Sequence, residues 1–490
     1  MSDSLGRGSP ARKGGGYGPR PGYDATPAEC NKRRGGRMPR LLLHGERHWM
    51  IRGDFTPAEL AARRARLAAL MGPGTHALIP GVGPEPAGEL FRQTNELYYL
   101  AGVEIPQAYL LIAADGPRAT LFVPPRPEGH AMYGEYLGAE DADRIRAPSG
   151  VDEVRDVRDL GARLAAARVL YLPHLPGERT KTYREELACQ ERLAAADPWD
   201  GGLSREKRLI RLVRERVPQA AIRDLNPLID ALRAVKEPRE LGLLREAGGL
   251  AALAVVEGMR ATRPGARESD LEAIARYVFR KHGAHGEGYA SIVAAGANIW
   301  HLHYALNRAE LRDGDLVLMD VAPDYRYYTS DIGRMWPVNG AYSPLQRELY
   351  GWIVEYHAIL LSLVRPGATA KGILAEAAVR MRPSTLARPF AKEEYRQAAL
   401  RTLESPRPLS HPVGMAVHDN GGYADAPLRP GVVFAVDPEL VVPEERLYVR
   451  VEDTVAVTEG GCEVLTAGAP LELDAVEALM KEPTRFPYFE

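Results

Sequence analysis

The sequence predicts an α/β domain followed by an α+β domain, and two patterns support this prediction. In the first half of the chain, amphipathic stretches typical of helices are mixed with short apolar runs typical of strands. In the second half, helical and strand patterns come in blocks, in the order helices, sheet, helices, sheet. This order indicates an α+β domain and argues against an alternating βαβ barrel or a dinucleotide-binding unit. The sequence also lacks a Walker loop and a GxGxxG fingerprint.

Overall composition excludes several classes of protein. The 490 residues suffice for roughly two to four domains, and 45% hydrophobic with 26% charged residues is typical of a soluble globular protein. A formal net charge of -2 gives no global reason to expect a nucleic acid or a membrane as partner. No apolar run approaches the roughly 18 residues of a transmembrane helix. The three cysteines, Cys30, Cys189 and Cys462, are widely scattered, which suits a reducing cytosol, so we expect a cytoplasmic protein.

Residues 1–37 differ from the rest of the chain. They are rich in Gly, Pro and Arg and have almost no Leu, Ile or Val, so we expect a disordered basic tail. The tail could bind an acidic partner, or it could be a solvated segment or an upstream start, and we favour the second interpretation. It also lacks the apolar segment of a secretory signal. A chain that starts at Met38 is therefore expected to fold and to be active.

The first domain is predicted to span residues 38–218. Its opening helix covers residues 56–71, with Thr56 as the cap and Pro57 in the first turn. Further helices are expected over 156–166 and near the end of 198–215. The predicted strands are 77–79, 98–100, 109–113, 119–123 and 169–171. The residues of this domain show no catalytic constellation.

The second domain is predicted to span residues 225–480. A capping box at 269–272 marks the start of one of its helices. The predicted helices cover residues 228–233, 238–260, 271–281, 343–363, 371–381 and 393–403. The predicted strands cover residues 289–295, 316–319, 325–328, 432–436 and 448–457.

Two aspartates, Asp320 and Asp331, lie in the most informative stretch of the sequence. Asp320 follows the apolar run 316–319, and residues 322–324 are a turn signal. Residues 325–328 are typical of a returning strand, with Asp331 just beyond it. One acid at the end of an apolar strand is usually a paired core charge. Two acids on adjacent strands, with more acids and a histidine downstream, favour a functional site.

Three more candidate ligands lie downstream of these aspartates. His411 lies in the segment Leu-Ser-His-Pro-Val-Gly, and Asp437 ends the apolar run 432–436. Strand alternation puts Arg450 and Glu452 on one face. There Arg450 and Glu452 form an ion pair, or Glu452 bridges metal ions while Arg450 holds it in position.

Four carboxylates and one imidazole make an oxygen-rich ligand set. Such a set suits Mn²⁺, Fe²⁺, Co²⁺ or Zn²⁺, and Mn²⁺ best by hardness. Four crowded acids repel one another, so they need cations between them, and two divalent ions neutralise four negative charges. Paired metals roughly 3.5–4 Å apart can bridge a water and lower its pKa. The ligand set therefore indicates hydrolytic chemistry.

Seven motifs follow one another along the chain. They are Phe-Arg-Gln at 91–93 with Tyr98 and Tyr99, Leu-His-Tyr at 302–304, Leu-Val-Leu-Met-Asp at 316–320, Ser-Asp-Ile-Gly-Arg at 330–334 followed by Pro-Val-Asn-Gly at 337–340, Ser-His-Pro-Val-Gly at 410–414, Val-His-Asp at 417–419, and Arg-Val-Glu-Asp at 450–453. With these motifs the second domain resembles the pita-bread metallopeptidases. The two-domain chain resembles aminopeptidase P and its relative prolidase, over nearly everything after Met38.

The resemblance implies a creatinase-like first domain, a pita-bread catalytic domain and two divalent metal ions. Mn²⁺ is the expected ion. One ion would be bound through Asp320 and the other through His411 and Asp437, while Asp331 and Glu452 would bridge the pair. Asp437 would also accept the proton of the bridging water.

Four further residues would act on the substrate according to the same resemblance. His303 and His418 would contact it around the scissile bond and help to stabilise the tetrahedral intermediate. Arg450 would orient the substrate, and Tyr289 would lie near the side that binds proline.

Two positions depart from the family pattern. Asp437 stands where the family has Glu, so either the strand shifts inward or the second metal binds more weakly. Glu439, two residues on, could share the role of proton acceptor. Arg407 stands where the family has His. These departures concern metal affinity and rate more than the type of reaction.

The sequence therefore predicts a dinuclear metallo-aminopeptidase that hydrolyses the N-terminal Xaa-Pro bond of peptides. One alternative is a prolidase that accepts only Xaa-Pro dipeptides. Another is a catalytically impaired binding module, against which the retained ligands argue, as they do against metal-free creatine hydrolysis. The resemblance also suggests a homodimer or a homotetramer.

Overall fold

The computed structural model describes residues 50–83, 90–116, 118–127, 136–179, 181–405, 409–424 and 426–485. The predicted tail at 1–37 and Arg407 lie outside these residues. The described residues all belong to one compact unit. The domain limits 38–218 and 225–480 remain predictions.

The first sheet contains strands β1 (His76–Pro80), β2 (Tyr109–Ala113), β3 (Arg118–Val123), β4 (Glu153–Asp156), β5 (Val169–Leu172) and β6 (Ala221–Asp224). Their spatial order is β4-β3-β2-β1-β5-β6. The pairs β1–β2 and β2–β3 are antiparallel, whereas the other neighbours are parallel. The same part of the chain contains helices α1 (Pro57–Met71), α2 (Asn95–Ala101), α3 (Ala142–Ser149), α4 (Leu160–Leu164), α5 (Arg184–Ala196) and α6 (Arg205–Arg216). The predicted α/β class of this part is confirmed.

The second large sheet is antiparallel throughout. Two two-stranded ribbons accompany it, β7 (Gly286–Glu287) with β10 (Pro323–Asp324) and β13 (Glu439–Val442) with β14 (Leu447–Arg450). The strands of the sheet itself are β8 (Ile292–Ala295), β9 (Leu316–Asp320), β11 (Ile332–Pro337), β12 (Val433–Val436), β15 (Glu452–Thr458) and β16 (Gly461–Val464). Their order is β12-β15-β11-β9-β8, and β16 also pairs with β15.

Helices of the second part of the chain come before, between and after the strands of this sheet, as predicted for an α+β domain. They are α7 (Asn226–Arg233), α8 (Pro238–Ala261), α9 (Glu268–Lys281), α10 (Pro344–Leu363), α11 (Ala370–Ala387), α12 (Glu393–Leu403) and α13 (Leu473–Leu479). Helix α8 lies close against the sheet at Gly258, where an added Cβ would be 2.8 Å from the sulfur of Met319. Close packing of this kind supports the strand that ends in Asp320. None of the described helices is both long and apolar enough to cross a membrane.

Local sequence signals explain several helix starts. The Thr56 hydroxyl accepts a hydrogen bond from the Glu59 amide, and the Glu59 carboxylate accepts one from the Thr56 amide, so the predicted cap of α1 is confirmed. Helix α10 starts in the same way at Ser343 with Gln346. The capping box predicted at 269–272 is wrong, because α9 already begins at Glu268 and the Asp270 carboxylate accepts from the Arg267 amide.

Two strand predictions are also wrong. Residues 98–100 belong to helix α2, which the Thr94 hydroxyl caps and Gly102 ends with φ 65°. Aromatic residues suggested a strand here, but the helix is buried along its whole length, so tertiary packing outweighs that preference. Residues 325–328 form a tight turn, and the returning strand is β11, so Asp331 precedes this strand instead of following it.

Some element limits differ from the prediction. The strand expected over 289–295 begins only at Ile292, which leaves Tyr289 in the segment before β8. The helix expected over 156–166 shortens to α4, and the strand expected over 448–457 is divided at Val451 into β14 and β15. Helix α5 is not predicted by the sequence patterns.

Candidate metal centre

Strand register brings three parts of the predicted site into one row. Asp320 at the end of β9 lies opposite Gly333 of β11, and Gly333 in turn lies opposite Glu452 of β15. A Cβ on Gly333 would lie 3.1 Å from the Glu452 Cβ and 3.4 Å from the Arg450 Nε. The glycine of the Ser-Asp-Ile-Gly-Arg motif therefore leaves space that the Arg450 and Glu452 side chains approach closely.

A group of three residues has the geometry of a metal site. One ligand atom each from Asp331, His411 and Glu452 lies within 4.8 Å of the others. The His411 Nε2 is 3.3 Å from an Asp331 oxygen and 3.9 Å from a Glu452 oxygen. Its Nδ1 lies 3.2 Å from the Pro412 carbonyl oxygen, which can accept the ring proton. That tautomer would leave the Nε2 lone pair free to bind a metal ion, as ligation requires.

The other two candidate ligands, Asp320 and Asp437, lie on the arginine side of the same cleft. The Arg450 guanidinium contacts Asp320, and its Nη1 is 3.3 Å from an oxygen of Asp437 and 3.3 Å from an oxygen of Glu452. Of the alternatives predicted for Arg450 and Glu452, the ion pair is therefore present. The same carboxylate also belongs to the three-residue ligand group, so the two interpretations are compatible.

Tyr289 connects the two aspartates of the central hairpin. Its hydroxyl contacts Asp320 and lies 2.7 Å from an oxygen of Asp331. A phenol has one proton, so Tyr289 donates to one carboxylate at a time. Burial, followed by the charge of Asp331, raises the pKa of Tyr289 well above its ordinary value, and the phenol stays protonated.

The predicted site residues all line one cavity of about 390 Å³. They are Asp320, Asp331, His411, Asp437, Glu452, His303, His418, Arg450 and Tyr289. The structure thus brings together residues from seven separate segments of the chain. Their individual roles remain predictions.

Crowding of acids in this cavity perturbs their protonation. Burial, followed by the charge of Asp331, raises the pKa of Glu452 to about 8. Burial, followed by the charge of Glu452, raises the pKa of Asp437 well above its ordinary value. The Asp437 Oδ1 is shielded from solvent and has no hydrogen-bond partner among the described residues. Buried acids of this kind fit a divalent cation, which compensates both their repulsion and their lost hydration.

The three histidines of the site differ in protonation. Burial acts to lower the pKa of His411, but Asp331 and Glu452 outweigh it, so this pKa is raised. Burial, followed by the positive charge of His411, lowers the pKa of His418 to about 3. Burial, followed by Arg450, lowers the pKa of His303. His303 and His418 are therefore neutral at pH 7, and each has one N–H to donate.

The first part of the chain contributes a wall of the cavity that the sequence does not predict. Lys181, Tyr183 and Glu186, at the start of α5, line the same cavity. The Tyr183 ring stacks on His418 with centroids 4.3 Å apart, and His418 stacks on His411 at 3.8 Å. The sequence carries no local signal for this contact, because it depends only on how the two halves of the chain pack.

The loop that carries His418 is held by buried charges. Asp419 contacts Arg233 and lies 3.1 Å from the Lys236 ammonium. The Arg233 Nη1 in turn is 2.8 Å from a carboxylate oxygen of Glu178, which belongs to the first part of the chain. The network explains the aspartate of the Val-His-Asp motif as a support for the histidine before it.

Glu439 also faces the cleft. It lies opposite Arg450 in the β13–β14 ribbon, lines the cavity, and accepts a hydrogen bond of 3.0 Å from the Tyr448 hydroxyl. Whether it shares a role with Asp437 stays a prediction. Arg407, the other position of interest, lies outside the described residues.

Comparisons with known proteins agree with this geometry. Residues 242–459 match the model of metallopeptidase family M24, and residues 60–171 match the aminopeptidase P N-terminal domain. The chain is 32% identical to the Xaa-Pro aminopeptidase of Escherichia coli over 87% of this chain and 98% of that one. The structure matches proline aminopeptidase P II from Yersinia pestis with a TM-score of 0.71 and 30% identity, over 87% of this chain and 99% of that one. It also matches a zinc-substituted E. coli aminopeptidase P in complex with product, with a TM-score of 0.71 and 30% identity, over 87% of this chain and 98% of that one.

The two-part fold and the carboxylate-rich cleft thus define a metallopeptidase with an N-terminal domain before its pita-bread domain. The class is that of metal-dependent exopeptidases, which confirms the predicted fold class and enzyme type. Within this class, the chain belongs to the aminopeptidase P family.

Proposed function

We propose that the chain hydrolyses the N-terminal Xaa-Pro bond of peptides with the help of two divalent metal ions. The main support is the group formed by Asp331, His411 and Glu452 within a cavity that also holds two further acids. The similar proteins named Xaa-Pro aminopeptidase support the choice of bond. A location in the cytoplasm and a homodimeric or homotetrameric assembly are parts of the same proposal.

The residues present fit the proposed metal ions. The ligands would be Asp320, Asp331, His411, Asp437 and Glu452, and the oxygen-rich set favours Mn²⁺. When bound, such ions supply Lewis acidity that lowers the pKa of water and polarises a carbonyl group.

Two neutral histidines are the proposed donors to the substrate. His303 and His418 line the cavity from different segments, and each can direct an N–H at the oxygen of the scissile carbonyl. A donor that is already oriented stabilises the negative charge that develops on this oxygen. Because His418 is stacked between two rings, its plane is fixed before substrate binds.

Three other residues would control charge and protons. The Asp437 Oδ1, which has no hydrogen-bond partner among the described residues, is a candidate acceptor for the proton that the attacking water loses. Arg450 orients Asp437 and the substrate, and Tyr289 lies between Asp320 and Asp331 and donates its one proton to either of them. The aspartate is one methylene shorter than the glutamate expected from the family, so we expect a lower affinity for the second ion.

The proposal is tested with the metal-stripped full-length chain, reconstituted with Mn²⁺. We expect release of leucine from Leu-Pro-Gly and little release from Leu-Ala-Gly. Asp331→Asn is expected to abolish the release, whereas the matched surface variant Asp313→Asn retains it, because Asp313 is exposed and bonds only Asn339 among the contacts described for its side chain. Equal rates on the two tripeptides would contradict the proposed specificity.

The two alternative functions give different results in the same assay. A dipeptidase of the prolidase type would cleave Leu-Pro faster than Leu-Pro-Gly. An impaired binding module would bind Leu-Pro-Gly without releasing leucine at any Mn²⁺ concentration. We favour the aminopeptidase, since the relatives from Escherichia coli and Haemophilus influenzae, matched over 98% and 88% of their length, are named Xaa-Pro aminopeptidase.

A further inference from the structure

The segment between the two central aspartates leaves the catalytic sheet. Asp320 ends β9 and Asp331 precedes β11, and residues 321–330 form an excursion between them. The tip of this excursion is a tight turn, closed by paired backbone hydrogen bonds of 2.8 and 3.0 Å between Tyr325 and Tyr328. A few residues on each side join this turn to Asp320 and to Asp331.

The backbone of this turn adopts an unfavourable conformation. Arg326 and Tyr327, its two central residues, have φ angles of 52° and 72°. Turns with two successive positive φ angles favour Asn-Gly, because larger side chains are strained there. Strained residues of this kind persist only where the surrounding structure holds them, and they are concentrated at functional sites.

The first part of the chain holds Tyr327 on several sides. Its ring stacks on Tyr98 with parallel planes and centroids 3.5 Å apart, and the Arg92 guanidinium carbon lies 4.2 Å from its centroid. The Tyr327 hydroxyl donates a hydrogen bond of 2.7 Å to Glu104 and accepts one of 2.8 Å from the Gln93 amide. The Tyr327 side chain is 1% exposed, so its surroundings are provided by protein atoms.

Two ion pairs also hold the excursion against the first part of the chain. The Arg92 Nε lies 2.6 Å from an oxygen of Asp324, and the Arg92 Nη2 lies 3.3 Å from the other. Arg326 lies 3.4 Å from Asp54, whose second oxygen accepts a hydrogen bond of 2.6 Å from the Tyr98 hydroxyl. The excursion is thus bound at its strand and at its turn.

We propose that Arg92 and Tyr98 are positioning residues of the metal centre. They act through the strained turn, which they hold so that Asp320 and Asp331 face the same ions. This inference rests on the proposed metal centre and explains the Phe-Arg-Gln and Tyr-Tyr motifs, which contain no ligand. The Thr454 hydroxyl also accepts a hydrogen bond of 2.7 Å from the Asp331 amide. Loss of the Arg92 and Tyr98 contacts therefore weakens the site without destroying it.

The experiment measures Mn²⁺ affinity of the metal-stripped full-length chain by titration calorimetry. Tyr98→Ala, Arg92→Met and Tyr327→Ala are each expected to bind Mn²⁺ about 10-fold more weakly, which is typical when support of metal ligands is lost. Tyr98→Phe keeps the ring stack and is expected to retain affinity. Phe122→Ala is the matched control, because Phe122 is a fully buried aromatic residue in a different apolar cluster of the same domain.

Two substitutions at Tyr327 separate the effect of backbone strain in the turn from the loss of a buried side chain. Tyr327→Ala and Tyr327→Gly both remove the ring, but only glycine adopts a positive φ without strain. We therefore expect Tyr327→Gly to recover most of the affinity that Tyr327→Ala loses.

The outcomes distinguish this inference from the proposed function. Wild-type affinity in both Tyr98→Ala and Tyr327→Ala would overturn the inference alone, as would an equal loss in Phe122→Ala. No binding of Mn²⁺ by the wild-type chain would overturn the proposed metal centre and, with it, this inference.

Discussion

His357 makes the stability of the fold depend on pH, because this histidine is buried in its neutral form. The side chain is on α10, is 0% exposed, and has its Nε2 3.4 Å from a carboxylate oxygen of Asp453. Burial lowers its pKa to about 4, although Asp453 acts in the opposite direction. The difference from the ordinary value of about 6.5 corresponds to about 3 kcal/mol.

The sign of the effect follows from proton binding. Between pH 6.5 and pH 4 the unfolded chain binds a proton at His357 that the folded chain excludes. The contribution to stability is therefore fully present above about pH 6.5 and is lost as the pH falls to about 4. At pH 5 the loss relative to pH 8 is about 2 kcal/mol.

Other buried groups act in the opposite direction, so a variant is needed to isolate His357. Burial raises the pKa of Glu96 and of Glu104 to about 7, and these acids stabilise the fold more as the pH falls through 7. In guanidinium chloride unfolding between pH 8 and pH 5, wild type is expected to lose about 2 kcal/mol more than His357→Gln. His282→Gln, at an exposed position, is the control. Equal losses in wild type and His357→Gln would refute the reasoning.

Three further predictions concern the site and its supports. Glu452→Gln is expected to weaken Mn²⁺ binding by more than about 100-fold, since it removes a ligand and not only a support, as titration calorimetry can measure. Arg233→Met leaves two buried carboxylates without their main counterion and is expected to cost about 3–5 kcal/mol in denaturant unfolding, against at most about 1 for Arg245→Met at an exposed ion pair. Tyr183→Ala is expected to lower kcat/KM roughly 2- to 10-fold by freeing His418, whereas Tyr183→Phe retains the stack and the rate. An equal loss in both Tyr183 variants would contradict a role for the ring.

Local sequence signals predicted many of the elements because they act over short distances. The cap at Thr56, the proline starts of several helices, and the apolar runs that became β9 and β12 are of this kind. The errors arose where distant contacts prevail. Residues 98–100 have the aromatic character of a strand. They are nevertheless helical, because every residue of α2 is buried against other parts of the protein. The sequence does not predict the turn at 325–328, because its strained backbone is supported by the other half of the molecule.

The sequence by itself determined the chemical inventory of the site: four carboxylates, three histidines, an arginine and a tyrosine, in an order that indicates a metallopeptidase. Only the tertiary structure decided how they meet. Strand register aligns Asp320 with Glu452 across Gly333. Residues of the first domain line one side of the cavity and bond the segment between Asp320 and Asp331. The reason is that motifs record which side chains a reaction needs, whereas their separations depend on contacts between segments hundreds of residues apart.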